Sequence, residues 1–221
     1  MRKSLIVLSF CAALASPFLT QSVLAADSTT GTTAEIKPGI GKGDAAAGGA
    51  AAAVCSGCHG VDGVASITTY PNLAGQGAPY MFKQLMEFKS GTRENAVMSG
   101  MVAALDEDGM HDLAAFYSEM APSELKSSPD NIEAGRQIYQ GGITSIGVPA
   151  CAACHAPDGA GNDAAKFPRL GGQNAEYTLA ALQSFRSGAR ANDPGKMMQM
   201  VAKRMSDEEM AAVANYVQGL H

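Results

Sequence analysis

The sequence predicts an all-α protein made of two tandem copies of one small unit. Three observations carry this: an internal repeat, helical periods bounded by capping residues, and the lack of any alternating strand pattern. The repeat comes first. CSGCHG at 55–60 corresponds to CAACHA at 151–156, an offset of 96. PNLAGQGAPYMFKQLMEFKSGTR at 71–93 aligns without a gap to PRLGGQNAEYTLAALQSFRSGAR at 168–190, an offset of 97. LDEDGMHDLAAFY from Leu105 matches MSDEEMAAVANYV from Met205 at an offset of 100. A drift of four residues is what loop insertions produce, so the domain count is two.

Each unit reads mainly as helix. The first helix precedes the cysteine motif, over 44–54 and again over 131–140. The second begins near Tyr80 or Tyr177 and stops at Gly91 or Gly188, with Met81, Leu85 and Phe88, or Leu179, Leu182 and Phe185, at helical spacing. The last starts at Asp106 or Ser206, good N-caps followed by acidic residues in the turn where the helix dipole favours them. Segment 121–130 (APSELKSSPD) has two prolines, three serines and no apolar period, and reads as a linker. The resulting domains are 44–120 and 131–221.

Arg2 and Lys3 precede an apolar run from Leu5 to Leu14, and small residues follow around Val23, Ala25 and Ala26. This reads as a secretory signal peptide over 1–25, too short to span a bilayer permanently, with cleavage after Ala25 preferred and after Ala26 nearly as good. The Thr/Gly-rich segment 26–43 is expected to be flexible. The exported polypeptide has 14 basic and 21 acidic residues, a formal charge of -7, which disfavours nucleic acid as a partner. The charge is uneven: 27–126 holds 12 acidic and 6 basic groups, whereas 127–221 holds 9 and 8. With no Trp, each half has a thin core and needs a staple or a cofactor.

Cysteine usage supplies that cofactor. Cys11 leaves with the signal, and Cys55, Cys58, Cys151 and Cys154 form two C-x-x-C-H motifs with His59 and His155. A C-x-x-C pair alone is ambiguous among a thiol redox site, half a zinc site and a disulfide. A histidine directly after the second cysteine points instead to covalent haem c, the thiols adding to its vinyl groups and the imidazole facing the iron. Zinc lacks donors, since neither half has a further cysteine and the only other histidines are His111 and His221. Both of these read as surface residues.

In class I cytochromes c, whose motif and helix order these units resemble, the sixth iron ligand is a methionine in a loop before the final helix. Met98 and Met101 are the candidates in the first half, and Met197, Met198 and Met200 compete in the second. Counting back seven residues from Leu105 and Met205 gives Met98 and Met198, the one pair in equivalent register, with Met200 the main rival to Met198. Met81, Met86, Met110, Met120, Met205 and Met210 lie on helical periods and read as core. The carbonyls of Pro71 and Pro168 are placed to accept the proton on the outer nitrogen of His59 and His155. Arg93, Arg190, Gln76 and Gln173 recur in both copies, and contact with haem propionates or a solvated surface are equal readings for them.

The two CxxCH units, PNLAGQ and PRLGGQ, the helices ending SGTR and SGAR, MSGM and KMMQM, and the terminal YVQGLH together resemble the diheme cytochrome c4 family, over nearly all of the chain beyond about Gly41. The resemblance implies two tandem class I cytochrome c domains related by pseudo-twofold symmetry, each wrapped around one covalent haem. It implies a periplasmic protein, at most peripherally membrane-associated, passing electrons from a quinol-oxidising cytochrome complex or another donor, such as a small copper or cytochrome protein, to a terminal oxidase. Two six-coordinate irons leave no open position for a substrate, so the chain is expected not to be an enzyme. The alternatives are a haem subunit of a dehydrogenase complex and, less favoured, a diheme peroxidase.

Overall fold

The computed structural model describes residues 43–221, so the signal peptide expected over 1–25 and nearly all of the segment expected to be flexible lie outside the described residues. Helices α1 (Ala45–Ala51), α2 (Ser56–His59), α3 (Ala78–Ser90), α4 (Ala96–Val102) and α5 (Glu107–Glu119) make the first half. Helices α6 (Ile132–Gly141), α7 (Ala152–His155), α8 (Ala175–Ser187), α9 (Met197–Ala202) and α10 (Asp207–Gln218) repeat them in the second. Among the described residues the only β pairing is two isolated bridges, Ile143 with Val148 and Asn162 with Phe167.

Capping residues start the helices where short polar side chains precede them. The Asp44 carboxylate accepts from the N–H groups of Ala46 and Ala47, that of Asp106 from Gly109, and Ser206 with Glu209 forms a capping box. Helices α3 and α8 begin earlier than Tyr80 and Tyr177 suggest. Pro79 sits in the first turn of α3, where its missing N–H has no helical partner to lose. The methionine segments also differ from expectation, being short helices rather than loops. Asn95 caps α4 by accepting from the N–H of Met98 at 2.9 Å.

The first and last helices of each half cross closely, α1 on α5 and α6 on α10, while α3 and α8 close the other side. Glycine makes the crossing possible. A Cβ on Gly48 would lie 2.0 Å from the carbonyl oxygen of Asp112, and one on Gly135 would lie 2.1 Å from that of Ala212. Met110 and Met210, both 0% exposed, fill the space beneath, with Val102, Leu113 and Tyr117 in one half and Val213, Val217 and Tyr139 in the other. Met81 is buried in line with its helical register, whereas Met205 is buried although it lies just before α10 and outside any helix.

The described residues of both halves belong to one unit, so the halves pack against each other. Their seam is reciprocal. Arg93 donates to the Tyr177 hydroxyl at 3.1 Å and Arg190 to the Tyr80 hydroxyl at 2.9 Å, partners that exchange under the repeat. Residue i meeting j while j's counterpart meets i's is the contact pattern of a twofold axis. Segment 121–130 is tied down along the second half: Ser127 donates to the Asn215 carbonyl at 2.8 Å and Gln218 to that of Lys126 at 2.7 Å.

Candidate haem sites

Each C-x-x-C-H motif closes as a single helical turn. The N–H of His59 bonds the carbonyl of Cys55 at 3.0 Å, and that of His155 bonds Cys151 at 2.9 Å, so both cysteines and the histidine face one side. None of the four cysteines is paired in a disulfide; Cys58 and Cys154 are exposed, Cys55 and Cys151 half-buried. Burial pushes the Cys151 thiol up to about 11 and raises that of Cys55, so the thiolates are disfavoured there, whereas a neutral thioether is at home.

The histidines are the most constrained part of each site. His59 Nδ1 lies 2.9 Å from the Pro71 carbonyl oxygen, and His155 Nδ1 lies 3.0 Å from that of Pro168. A carbonyl can only accept, so the proton sits on Nδ1 and the Nε2 lone pair is bare. Desolvation holds both imidazoles below the ordinary histidine range, partly offset by these bonds, and so keeps them neutral. A neutral imidazole with a fixed tautomer is the form that ligates a metal.

One cavity of about 860 Å³ runs through both halves and is lined by Cys55, Cys58, His59 and Met98 and by Cys151, Cys154, His155 and Met198. Met98 packs against the cluster of Phe88, Val102 and Met110, and Met198 against the second-half core. Their rivals line the same cavity but are more exposed: Met101 is 41% exposed, Met197 38% and Met200 51%. His111 stacks on Phe82 with ring centroids 3.6 Å apart, and the terminal His221 is exposed. Among the described residues no three His, Cys, Asp or Glu side chains converge as a metal-binding group.

The cavity's polar lining fits a group bearing carboxylates. Arg93 and Arg190 stack over Phe88 and Phe185 at 4.5 and 4.4 Å, and both donate to Gln84 Oε1, at 2.9 and 3.1 Å. Their other side-chain partners are Tyr80, Tyr177 and Asn192, all formally neutral, and neither forms an ion pair with a carboxylate among the described residues. Burial opposes ionisation of Tyr177, yet the two guanidinium groups outweigh it and hold its hydroxyl below the usual tyrosine range. Arg169, also on the cavity wall, buries an Nε with no partner. Buried positive charge without an anion is costly, and haem propionates would supply the anion.

The glutamines were the least legible residues in the sequence. Gln76 and Gln173 are each 7% exposed, and their carboxamides bond backbone of the opposite half.

The sequence pattern of the Cytochrome c family matches this chain twice, over 45–121 and 132–221. Cytochrome c4 of Azotobacter vinelandii is 42% identical over 189 residues, covering 81% of this chain and 90% of the relative. The chain belongs to the cytochrome c4 family. A crystal structure of reduced recombinant cytochrome c4 from Pseudomonas stutzeri superposes with a TM-score of 0.79 at 42% identity, covering 81% of this chain and all of that one. A thiosulfate dehydrogenase electron acceptor of Stutzerimonas stutzeri is 39% identical over 170 residues, covering 75% of this chain and 78% of the relative. As a cytochrome c4, the chain is a diheme electron-transfer protein with two covalently bound haem c groups.

Proposed function

We propose that this chain is exported to the periplasm and there carries single electrons between a respiratory donor, such as a quinol-oxidising complex or another cytochrome or copper protein, and a terminal oxidase. Cys55 and Cys58, and Cys151 and Cys154, are the attachment points. His59 with Met98 and His155 with Met198 are the axial ligands. Haem bound there supplies one-electron exchange at iron. The protein's part is to fix each imidazole, to supply a soft thioether that favours the ferrous state, and to exclude water from the site.

The observation that carries this reading is the pairing of a tautomer-locked histidine with a half-buried methionine on the same cavity in both halves. Both axial positions of each iron are then taken, which leaves no position for a substrate, so the chain is a carrier and not an enzyme. Among the described residues no helix is long and apolar enough to cross a membrane. Mass spectrometry of the exported protein, joined to a redox titration and carbon monoxide binding, tests the reading. It expects a mass increment of two haems on a polypeptide lacking 1–25, reversible one-electron steps, and no carbon monoxide uptake at neutral pH. Rapid uptake by either haem would overturn the carrier assignment.

A second reading, a haem subunit held by a dehydrogenase, is favoured by the likeness to the thiosulfate dehydrogenase electron acceptor. Purification from native cells separates the two: a free monomer supports the shuttle, and a stable hetero-complex supports the subunit.

A further inference from the structure

We propose that each half tunes the haem of the other through a glutamine and a single peptide group. Gln173 acts on the haem ligated by His59, and Gln76 acts on the haem ligated by His155. The inference rests on the axial assignment above.

The carbonyl of Pro71 and the N–H of Asn72 belong to one peptide unit. Its oxygen accepts from His59 Nδ1 at 2.9 Å, and its N–H donates to Gln173 Oε1 at 2.8 Å. The second half repeats this: the Pro168 carbonyl accepts from His155 Nδ1 at 3.0 Å, and the N–H of Arg169 donates to Gln76 Oε1 at 2.8 Å. The carboxamide orientation is fixed by its other bonds. Gln173 Nε2 donates to the Asn72 carbonyl at 2.9 Å and Gln76 Nε2 to that of Arg169 at 3.1 Å, which only an amide NH2 can do. Each Oε1 also receives the next residue's N–H, from Asn174 at 2.9 Å and from Gly77 at 3.0 Å.

Hydrogen bonds in series through an amide strengthen one another. A glutamine oxygen drawing on the Asn72 N–H makes the Pro71 oxygen more negative, which pulls harder on the Nδ1 proton. The imidazole then gains imidazolate character and favours the oxidised iron. Water does not dilute the effect, because His59, Asn72 and Gln173 are 7%, 5% and 7% exposed, and His155 and Gln76 are 6% and 7%. Gln76 and Gln173 are thus positioning residues, and the relays make the electron affinity of each haem depend on the seam between the halves.

The experiment substitutes Gln173→Leu and Gln76→Leu in the holoprotein. It reads the potential of each haem and the NMR shift of each histidine Nδ1–H in the reduced state. Gln173→Leu is expected to raise the potential of the haem at Cys55 and Cys58 by about threefold in its reduction equilibrium, about 28 mV for a one-electron couple, and to weaken the His59 bond. Gln76→Leu is expected to give the mirror image. Gln173→Glu, which keeps the acceptor oxygen and adds charge, should shift the first-half potential downward. A shift confined to the glutamine's own half, equal shifts of both haems, or none at all would overturn the relay. If His59 does not ligate iron, its ring protons will lack the displacement of a ring held over haem. Failure of the relay alone would show a displaced ring with an unmoved Nδ1–H.

Discussion

Gly60 and Ala156 share one backbone conformation, φ 79°, ψ 152° and φ 67°, ψ 155°, directly after the histidine of each motif. Glycine adopts this region freely, whereas an alanine there is strained by about 1–3 kcal/mol. The strain persists because the Ala156 carbonyl is held by the Tyr139 hydroxyl at 2.6 Å. Ala156→Gly should therefore stabilise the holoprotein by about 1 kcal/mol after the entropic cost of glycine. Gly60→Ala should destabilise it by about 2 kcal/mol or more, since the new Cβ would stand 2.1 Å from the Val64 carbonyl oxygen. Urea denaturation of both variants measures this, and a less stable Ala156→Gly protein would show that the alanine is not strained.

The crossing of terminal helices gives a second expectation. Gly135→Ala forces α6 away from the Ala212 carbonyl, and overpacking of that kind costs about 1–3 kcal/mol. Gly48→Ala should cost a similar amount against Asp112. Because α1 and α6 carry none of the cysteines, histidines or methionines proposed to hold haem, thermal unfolding should shift while the spectrum of the folded protein stays the same. A changed spectrum with unchanged unfolding would contradict this division of labour.

Much of this was legible in the sequence because the repeat supplied an internal control. Register singles out Met98 and Met198 among the methionines just before the last helices, and the buried Met110 and Met210 were legible by helical period. What escaped was long-range. Gln76 and Gln173 recur at an offset of 97, yet nothing local tells a glutamine that bonds a distant peptide from one that faces water. The roles of Gly48 and Gly135 are not legible locally, because the backbone they approach lies more than sixty residues away. Helix α3 starts at Ala78, ahead of Tyr80, because a helix's first turn tolerates Pro79.

The proposed axial methionines give a third expectation. Met98→Ala should leave the haem at Cys55 and Cys58 five-coordinate, lower its potential, and let the reduced protein take up about one equivalent of carbon monoxide. Met101→Ala and Met200→Ala should take up none, because each leaves the proposed ligands Met98 and Met198 in place. Carbon monoxide titration with each haem's spectrum resolved decides between the candidates. Uptake by the Met200 variant, with none by Met198→Ala, would reassign the second ligand.

The fourth expectation concerns pH and the helix that bears Met198. Asp193 receives the Gln199 backbone N–H at 3.0 Å and its side-chain Nε2 at 2.8 Å, fastening α9 across its first turn. Burial alone would raise the Asp193 carboxyl, but these donors outweigh it and hold it below the usual 3.8. A carboxylate with a depressed folded pKa contributes stability above its unfolded value and loses it as the pH falls through the folded one. The fastening is therefore complete at neutral pH and fails only in acid below about 3.8. Asp193→Ala should remove it at every pH, costing about 1 kcal/mol, so that imidazole displaces the second-half methionine about fivefold more readily at pH 7. In acid, where imidazole is itself protonated and cannot ligate, the urea stabilities of the wild type and the variant should converge. A difference between them that persisted at low pH would mean that Asp193 acts through its shape and not through its charge.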